Sequence, residues 1–176
     1  MKTILALFLF VVATLGHGLA QDQHAIAAAQ AACGPNNVRF DVNLDGLQHP
    51  APPPDPDKAL VYIVQEMGQE KCKGCALTKL GLDGNWVGAN NGDSYFYFST
   101  EPGEHHLCLN WQSHFGWRSK AFAMANFTAE AGRVYYFRAR IFPGHLDYSF
   151  DLDPINGDQG KFLVASSIYS VSQARK

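Results

Sequence analysis

Val134-Tyr135-Tyr136-Phe137-Arg138-Ala139-Arg140-Ile141-Phe142 is the stretch that decides the fold class. Tyr135, Phe137, Ala139 and Ile141 alternate with Tyr136, Arg138 and Arg140. Successive side chains of a strand point to opposite faces, so this period of two describes a half-buried β-strand with one apolar face. Upstream, Leu60 to Gln65 (L-V-Y-I-V-Q) is a nearly continuous β run, and Tyr95 to Ser99 (Y-F-Y-F-S) is aromatic on both faces, as a central strand is. Thr78 to Leu82 and Trp86 to Ala89 flank Asp83-Gly84, a hairpin signal because Gly tolerates positive φ. Glu101-Pro102-Gly103 is a turn. After it His105, Leu107, Leu109 and Trp111 share one face, while His106, Cys108 and Asn110 share the other. Ala121 to Thr128 and Leu146 to Leu152 are further strands, and Asp158 is placed to cap a short helix through Ser166 with Phe162 and Leu163 packing inward. About seven to eight short strands without βαβ alternation predict a mainly β fold, an antiparallel β-sandwich with a short C-terminal helix.

Composition sets the frame for that sandwich. The chain has 176 residues, 47% apolar and 17% charged, ordinary for one globular domain. Fourteen Lys+Arg against 16 Asp+Glu give a net charge of −2, which supplies no basic field for nucleic acid. Residues 1–20 read as a signal peptide: Lys2 supplies the positive charge, Ile4 to Val12 the apolar run, and Gly18-Leu19-Ala20 the small residues of a cleavage site. The run is well short of the roughly 20 residues that span a bilayer, and no other segment is long and apolar enough. The expectation is an exported chain, periplasmic or extracellular, with no membrane span after cleavage. Residues 21–57 form an Ala-rich leader and a Pro-rich arm. Val38, Phe40 and Val42 alternate with polar residues, and His49 to Pro56 holds five prolines in eight residues. Such a stretch lacks the donors a central strand needs. Residues 58–176 are the sandwich domain.

The four cysteines, Cys33, Cys72, Cys75 and Cys108, allow three pairings, and in an exported chain they suggest disulfides. Cys33 with Cys108 is the expected pair. Cys108 lies opposite the apolar stripe of its strand, and the arm beginning at Cys33 needs an anchor to be ordered. Cys72-Lys73-Gly74-Cys75 is a second disulfide or a redox pair; the structural role is favoured, because redox C-x-x-C motifs open a helix and this one lies between a strand and a turn. A four-Cys zinc site is disfavoured by an oxidising compartment. Ala31-Ala32-Cys33 superficially matches a lipid-attachment site, but Asp22, Gln23 and His24 separate it from the apolar run. His105 and His106, adjacent on a strand, point apart and do not chelate one metal. Asp151 to Asp158 faintly resembles a calcium loop but lacks its spacing and its Glu, so no metal is expected. Tyr136, Arg138 and Arg140 share a face and are candidate ligand contacts for a carboxylate or sugar phosphate. Asn126-Phe127-Thr128 is a glycosylation acceptor only in a eukaryotic secretory pathway. No hydrolase, metalloprotease, P-loop or dinucleotide fingerprint occurs, so neither catalytic residues nor a cofactor are assigned.

Several segments together resemble the bacterial domain-of-unknown-function family numbered 2846: A-C-G-P (32–35), F-D-V (40–42), K-A-L-V-Y (58–62), G-L-D-G-N-W-V-G (81–88), S-Y-F-Y (94–97), P-G-E-H-H-L-C (102–108), A-G-R-V-Y-Y-F-R-A-R (131–140) and D-Q-G-K-F-L (158–163). The resemblance implies an exported or lipid-anchored envelope protein with a small sandwich related to PEGA-like domains. It brings no assigned activity and so no catalytic residues. This sequence departs from lipoprotein members in lacking a Cys at its cleavage point, and the C-K-G-C loop looks like an addition. The functional expectation is a non-catalytic binding or scaffolding module whose partner is an envelope protein or glycan, with Trp86 and Trp117, both near turns, as either contact points or core residues. The alternative is a periplasmic thiol–disulfide protein using Cys72 and Cys75.

Overall fold

In a computed structural model, which describes residues 27, 31–47, 53–67, 77–112, 122–143 and 148–175, the decisive alternation forms a strand next to one edge of the larger sheet in a two-sheet sandwich. The strands run β1 (Phe40–Asp45), β2 (Ala59–Glu66), β3 (Leu77–Leu82), β4 (Asn85–Asn91), β5 (Ser94–Thr100), β6 (Gly103–Trp111), β7 (Phe122–Ala129), β8 (Val134–Pro143), β9 (Tyr148–Ile155) and β10 (Ile168–Ala174). Helix α1 (Gly157–Ser166) lies between the last two. One sheet has six strands in the order β1-β10-β5-β2-β8-β9, the other four in the order β4-β3-β6-β7.

The two sheets close on one apolar layer because each strand turns alternate residues inward. Val61, Ile63, Phe96, Phe137, Ile141, Phe150 and Leu152 come from the larger sheet; Leu80, Leu107, Leu109 and Trp111 come from the smaller. Trp111 stacks on Phe150 with centroids 5.5 Å apart, and Phe127 meets Phe137 edge-on at 5.2 Å. The Asp83-Gly84 hairpin has positive φ at both residues, 49° and 87°, the twist that a two-residue turn between antiparallel strands requires.

The structure differs from the sequence reading in four places. The strand set is larger, because the arm supplies β1 and the C-terminus supplies β10, which pair antiparallel. The Gln112 side chain fixes the start of β1, donating to the Phe40 carbonyl (2.7 Å) and accepting from its N–H (2.8 Å) as a neighbouring strand would. Two pairings, β10 with β5 and β2 with β8, are parallel. The helix is capped by Asn156, whose side chain accepts from the Gln159 N–H at 2.9 Å, while Asp158 sits inside the first turn. Finally, Leu163 packs inward but Phe162 is 70% exposed, since neighbouring residues of a helix point about 100° apart.

Candidate functional site

The residues 136, 138 and 140 point away from the core, onto the outer face of the six-stranded sheet. There the register sets Tyr136 (β8), Tyr62 (β2) and Tyr97 (β5) side by side across three strands, and Tyr169 of β10 closes the row. Tyr62 stacks on Tyr136 at 5.0 Å and an angle of 13°, and it meets Tyr97 at 5.5 Å. Tyr97 in turn lies 5.6 Å from Tyr169, and Tyr95 joins from below at 5.4 Å from Tyr169. Tyr95 is buried; the other four are half-buried. Burial raises the pKa of Tyr136, and that of Tyr169 is raised by burial and then by Tyr97 and Tyr95. The row is a neutral aromatic platform with hydroxyl tips.

Helix α1 covers one end of this row. Leu163 and Val164 pack with Val64, Tyr62 and Tyr95. Gly160 lies flat against the Tyr136 ring, so close that an added Cβ would overlap its ring carbons. Asp158-Gln159-Gly160 therefore serves the platform: the glycine lets the helix reach it.

Beside the tyrosines, the two arginines are already engaged. Arg140 donates to Asp153 (2.8 Å) and Asp151 (3.2 Å), and Arg138 pairs with Glu66 at 3.6 Å. Two cations against three carboxylates leave this corner with a local charge of −1. The grip envisaged for an external carboxylate or sugar phosphate is filled by the protein's own acids. The Asp151–Asp153 segment likewise spends its carboxylates on Arg140. Among the described residues no group of three His, Cys, Asp or Glu is placed to hold a metal ion.

On the opposite side of the sandwich Cys33 is joined to Cys108, with Cα atoms 5.1 Å apart and a separation of 75 positions in sequence. The bond lays Ala31–Pro35 over the outer face of the smaller sheet. Gly81 makes room for it, since a Cβ there would strike the Ala32 carbonyl. Trp86 donates to the Pro35 carbonyl (2.8 Å), and Lys79 sits 4.0 Å over the Trp86 ring while donating to the Val38 carbonyl (2.8 Å). Burial, then the charge of Arg39, lowers the Lys79 pKa. Trp86 is thus a clamp on the arm. Cys72, Cys75 and Trp117 lie outside the described residues, as does the segment 1–20 for which a signal peptide is expected.

One further cluster has the outline of a catalytic triad. His105 Nδ1 meets the Asp83 carboxylate at 2.5 Å, and its Nε2 lies 3.2 Å from Thr100 Oγ1. However, Nε2 is closer, 2.7 Å, to the Glu101 carbonyl, which only an N–H can satisfy. Burial works to lower the His105 pKa, but the hydrogen bonds to Asp83 and Glu101 and the Asp83 charge outweigh it and raise the pKa. A ring that donates from both nitrogens has no lone pair to take a hydroxyl proton. The cluster ties the β5–β6 turn to the β3–β4 hairpin. Sequence reading separated His105 from His106 by face but had no signal for the partner 22 residues away. It also missed Tyr62, Tyr95, Tyr97 and Tyr169; the period-two Tyr95 and Tyr97 of Y-F-Y-F was the available hint.

The sequence model of a family described as "Protein of unknown function (DUF2846)" matches residues 55–149, more than half of the chain. No curated protein and no solved structure matches. No described helix is long and apolar enough to cross a membrane.

Proposed function

The chain belongs to the DUF2846 family of proteins of unknown function, and on that premise we propose that it is an exported, non-catalytic binding or scaffolding module of the bacterial envelope. Its contact surface is the tyrosine face of the larger sheet. The observation that carries this reading is the row Tyr136–Tyr62–Tyr97–Tyr169, half-buried and crossing adjacent strands. Tyrosine presents a large rigid apolar area with a polar tip, which suits stacking against a sugar ring or a protein side chain. Arg138 and Arg140, held by Glu66, Asp151 and Asp153, border the row as oriented polar contacts and leave no net positive charge to favour an anion. The partner is accordingly a neutral envelope glycan or an envelope protein. The Cys33–Cys108 bond supports export, because structural disulfides persist in oxidising compartments.

Pull-down from native envelope extract tests the proposal. Wild-type protein is expected to enrich a defined component, and a Tyr97→Ala/Tyr169→Ala variant with unchanged far-UV circular dichroism is expected to lose it. Equal recovery by both proteins contradicts the assignment of the face. Turnover in an insulin-reduction assay that disappears in Cys72→Ser would contradict the non-catalytic reading and favour the thiol–disulfide alternative.

A further inference from the structure

A sandwich of two open sheets has four edges, and three of them here are protected. The β1 edge carries Asp41 and Asp45, and Arg175 pairs with Asp41. The β9 edge carries Asp151, Asp153 and Pro154. The backbone of Ala89 on the β4 edge is occupied by serines of β10: the Ala89 N–H donates to Ser172 (3.2 Å) and its carbonyl accepts from Ser170 (2.8 Å). Charge, proline and covering groups are the means by which natural sheets avoid pairing with another chain.

The β7 edge carries neither charge nor proline, and the Tyr135 hydroxyl covers only its far end, at the Thr128 carbonyl. Its sequence F-A-M-A-N-F-T-A contains no charge and no proline, and Phe122 and Met124 are 46% and 41% exposed. Among the described residues β7 pairs only with β6. Two hydrogen bonds fix which backbone groups face outward. The His106 carbonyl accepts from Asp83 N–H (3.0 Å) on the β3 side, so Asn126, opposite His106, turns its N–H and carbonyl away from β6. The Thr128 carbonyl, of the same parity, accepts from the Tyr135 hydroxyl (3.0 Å), also away from β6. Phe122, Met124 and Asn126 are therefore the residues whose main chain is offered along this edge, while the Thr128 carbonyl is taken by Tyr135.

We propose that a second copy of the chain adds to this edge, β7 pairing antiparallel with its own equivalent about a two-fold axis at Ala125. Parity and side chains both fit. With Ala125 opposite itself, Met124 stands opposite Asn126 of the second copy, outward-facing residues that exchange hydrogen bonds, and Phe122 lies opposite Thr128 at the two ends, where Tyr135 already holds the Thr128 carbonyl. On the inner side Ala123 meets Phe127, small against large, and no like charges are brought together. The two four-stranded sheets become one of eight strands. This interface is on the smaller sheet and is independent of the tyrosine face.

Sedimentation equilibrium of the oxidised chain tests it, together with hydrogen exchange at residues 124 and 126. The chain is expected to dimerise with concentration, and those two amides to be protected only in the dimer. Asn126→Pro removes an outward N–H and leaves the β6 ladder intact; Met124→Lys keeps every backbone group and adds charge to the edge. Each is expected to raise the dissociation constant at least ~10-fold with unchanged circular dichroism. A monomer at all concentrations, a dimer indifferent to both substitutions, or a monomer that captures an extended foreign peptide at β7 overturns the proposal.

Discussion

His105 illustrates how much of a site rests on a single contact between distant turns. Its Nδ1 holds Asp83, its Nε2 holds the Glu101 carbonyl, and the other Asp83 oxygen accepts from the His106 N–H at 2.8 Å. Because the folded state raises its pKa above the ordinary 6.5, the stabilisation is fully present below that value. It is lost as the pH rises through the folded pKa. Unfolding free energies from urea titrations at pH 6 and upward should therefore fall, by about 0.5–1 kcal/mol given that the Asp83 side chain is 41% exposed and screened by solvent. Asp83→Asn should flatten that slope; an unchanged slope would disconnect it from this pair. Nothing in the local sequence announces the contact, since periodicity reports which face a residue takes and not what another turn brings to it.

Helix α1 and the strand beneath it show the same limit for whole elements. In most exposed helices Gly→Ala stabilises by up to about 1 kcal/mol. Gly160→Ala should instead destabilise, by about 1–3 kcal/mol, because the methyl group must displace the Tyr136 ring. Thermal or urea unfolding decides the sign, and a gain in stability would mean that the helix does not rest on Tyr136. Phe162→Gln, at a position 70% exposed, should change stability by no more than about 0.5 kcal/mol. The strands of the core were legible wherever the inward residues are apolar, as in 60–65, 95–99, 105–111 and 134–142. β10 was not, because its inward positions are Ser170 and Ser172, polar residues that bond the β4 backbone and invert the expected alternation. β1 was visible as alternation in the arm, yet its membership of the sheet depends on β10 and Gln112, both remote in sequence. Parallel pairing of β2 with β8 likewise has no local signature, whereas hairpins carry theirs in the turn.

At the scale of the whole molecule, the disulfide ties the arm across the back of the smaller sheet while the tyrosine face occupies the front of the larger one. A bond closing 75 residues stabilises by about 4 kcal/mol through the entropy of the unfolded chain. Cys33→Ala/Cys108→Ala should lower the unfolding free energy by about that amount and leave the core circular dichroism unchanged; a loss well under 1 kcal/mol would mean that the arm is held by Gln112 and Trp86 alone. The proposal of an exported, disulfide-closed envelope module is tested most directly by non-reducing peptide mapping of the chain recovered from its native host. The predicted result is an N-terminus just after Ala20 and a cross-linked pair of peptides containing Cys33 and Cys108, in the envelope or external fraction. A chain that retains Met1–Ala20, with Cys33 and Cys108 as free thiols in the cytoplasmic fraction, would contradict it.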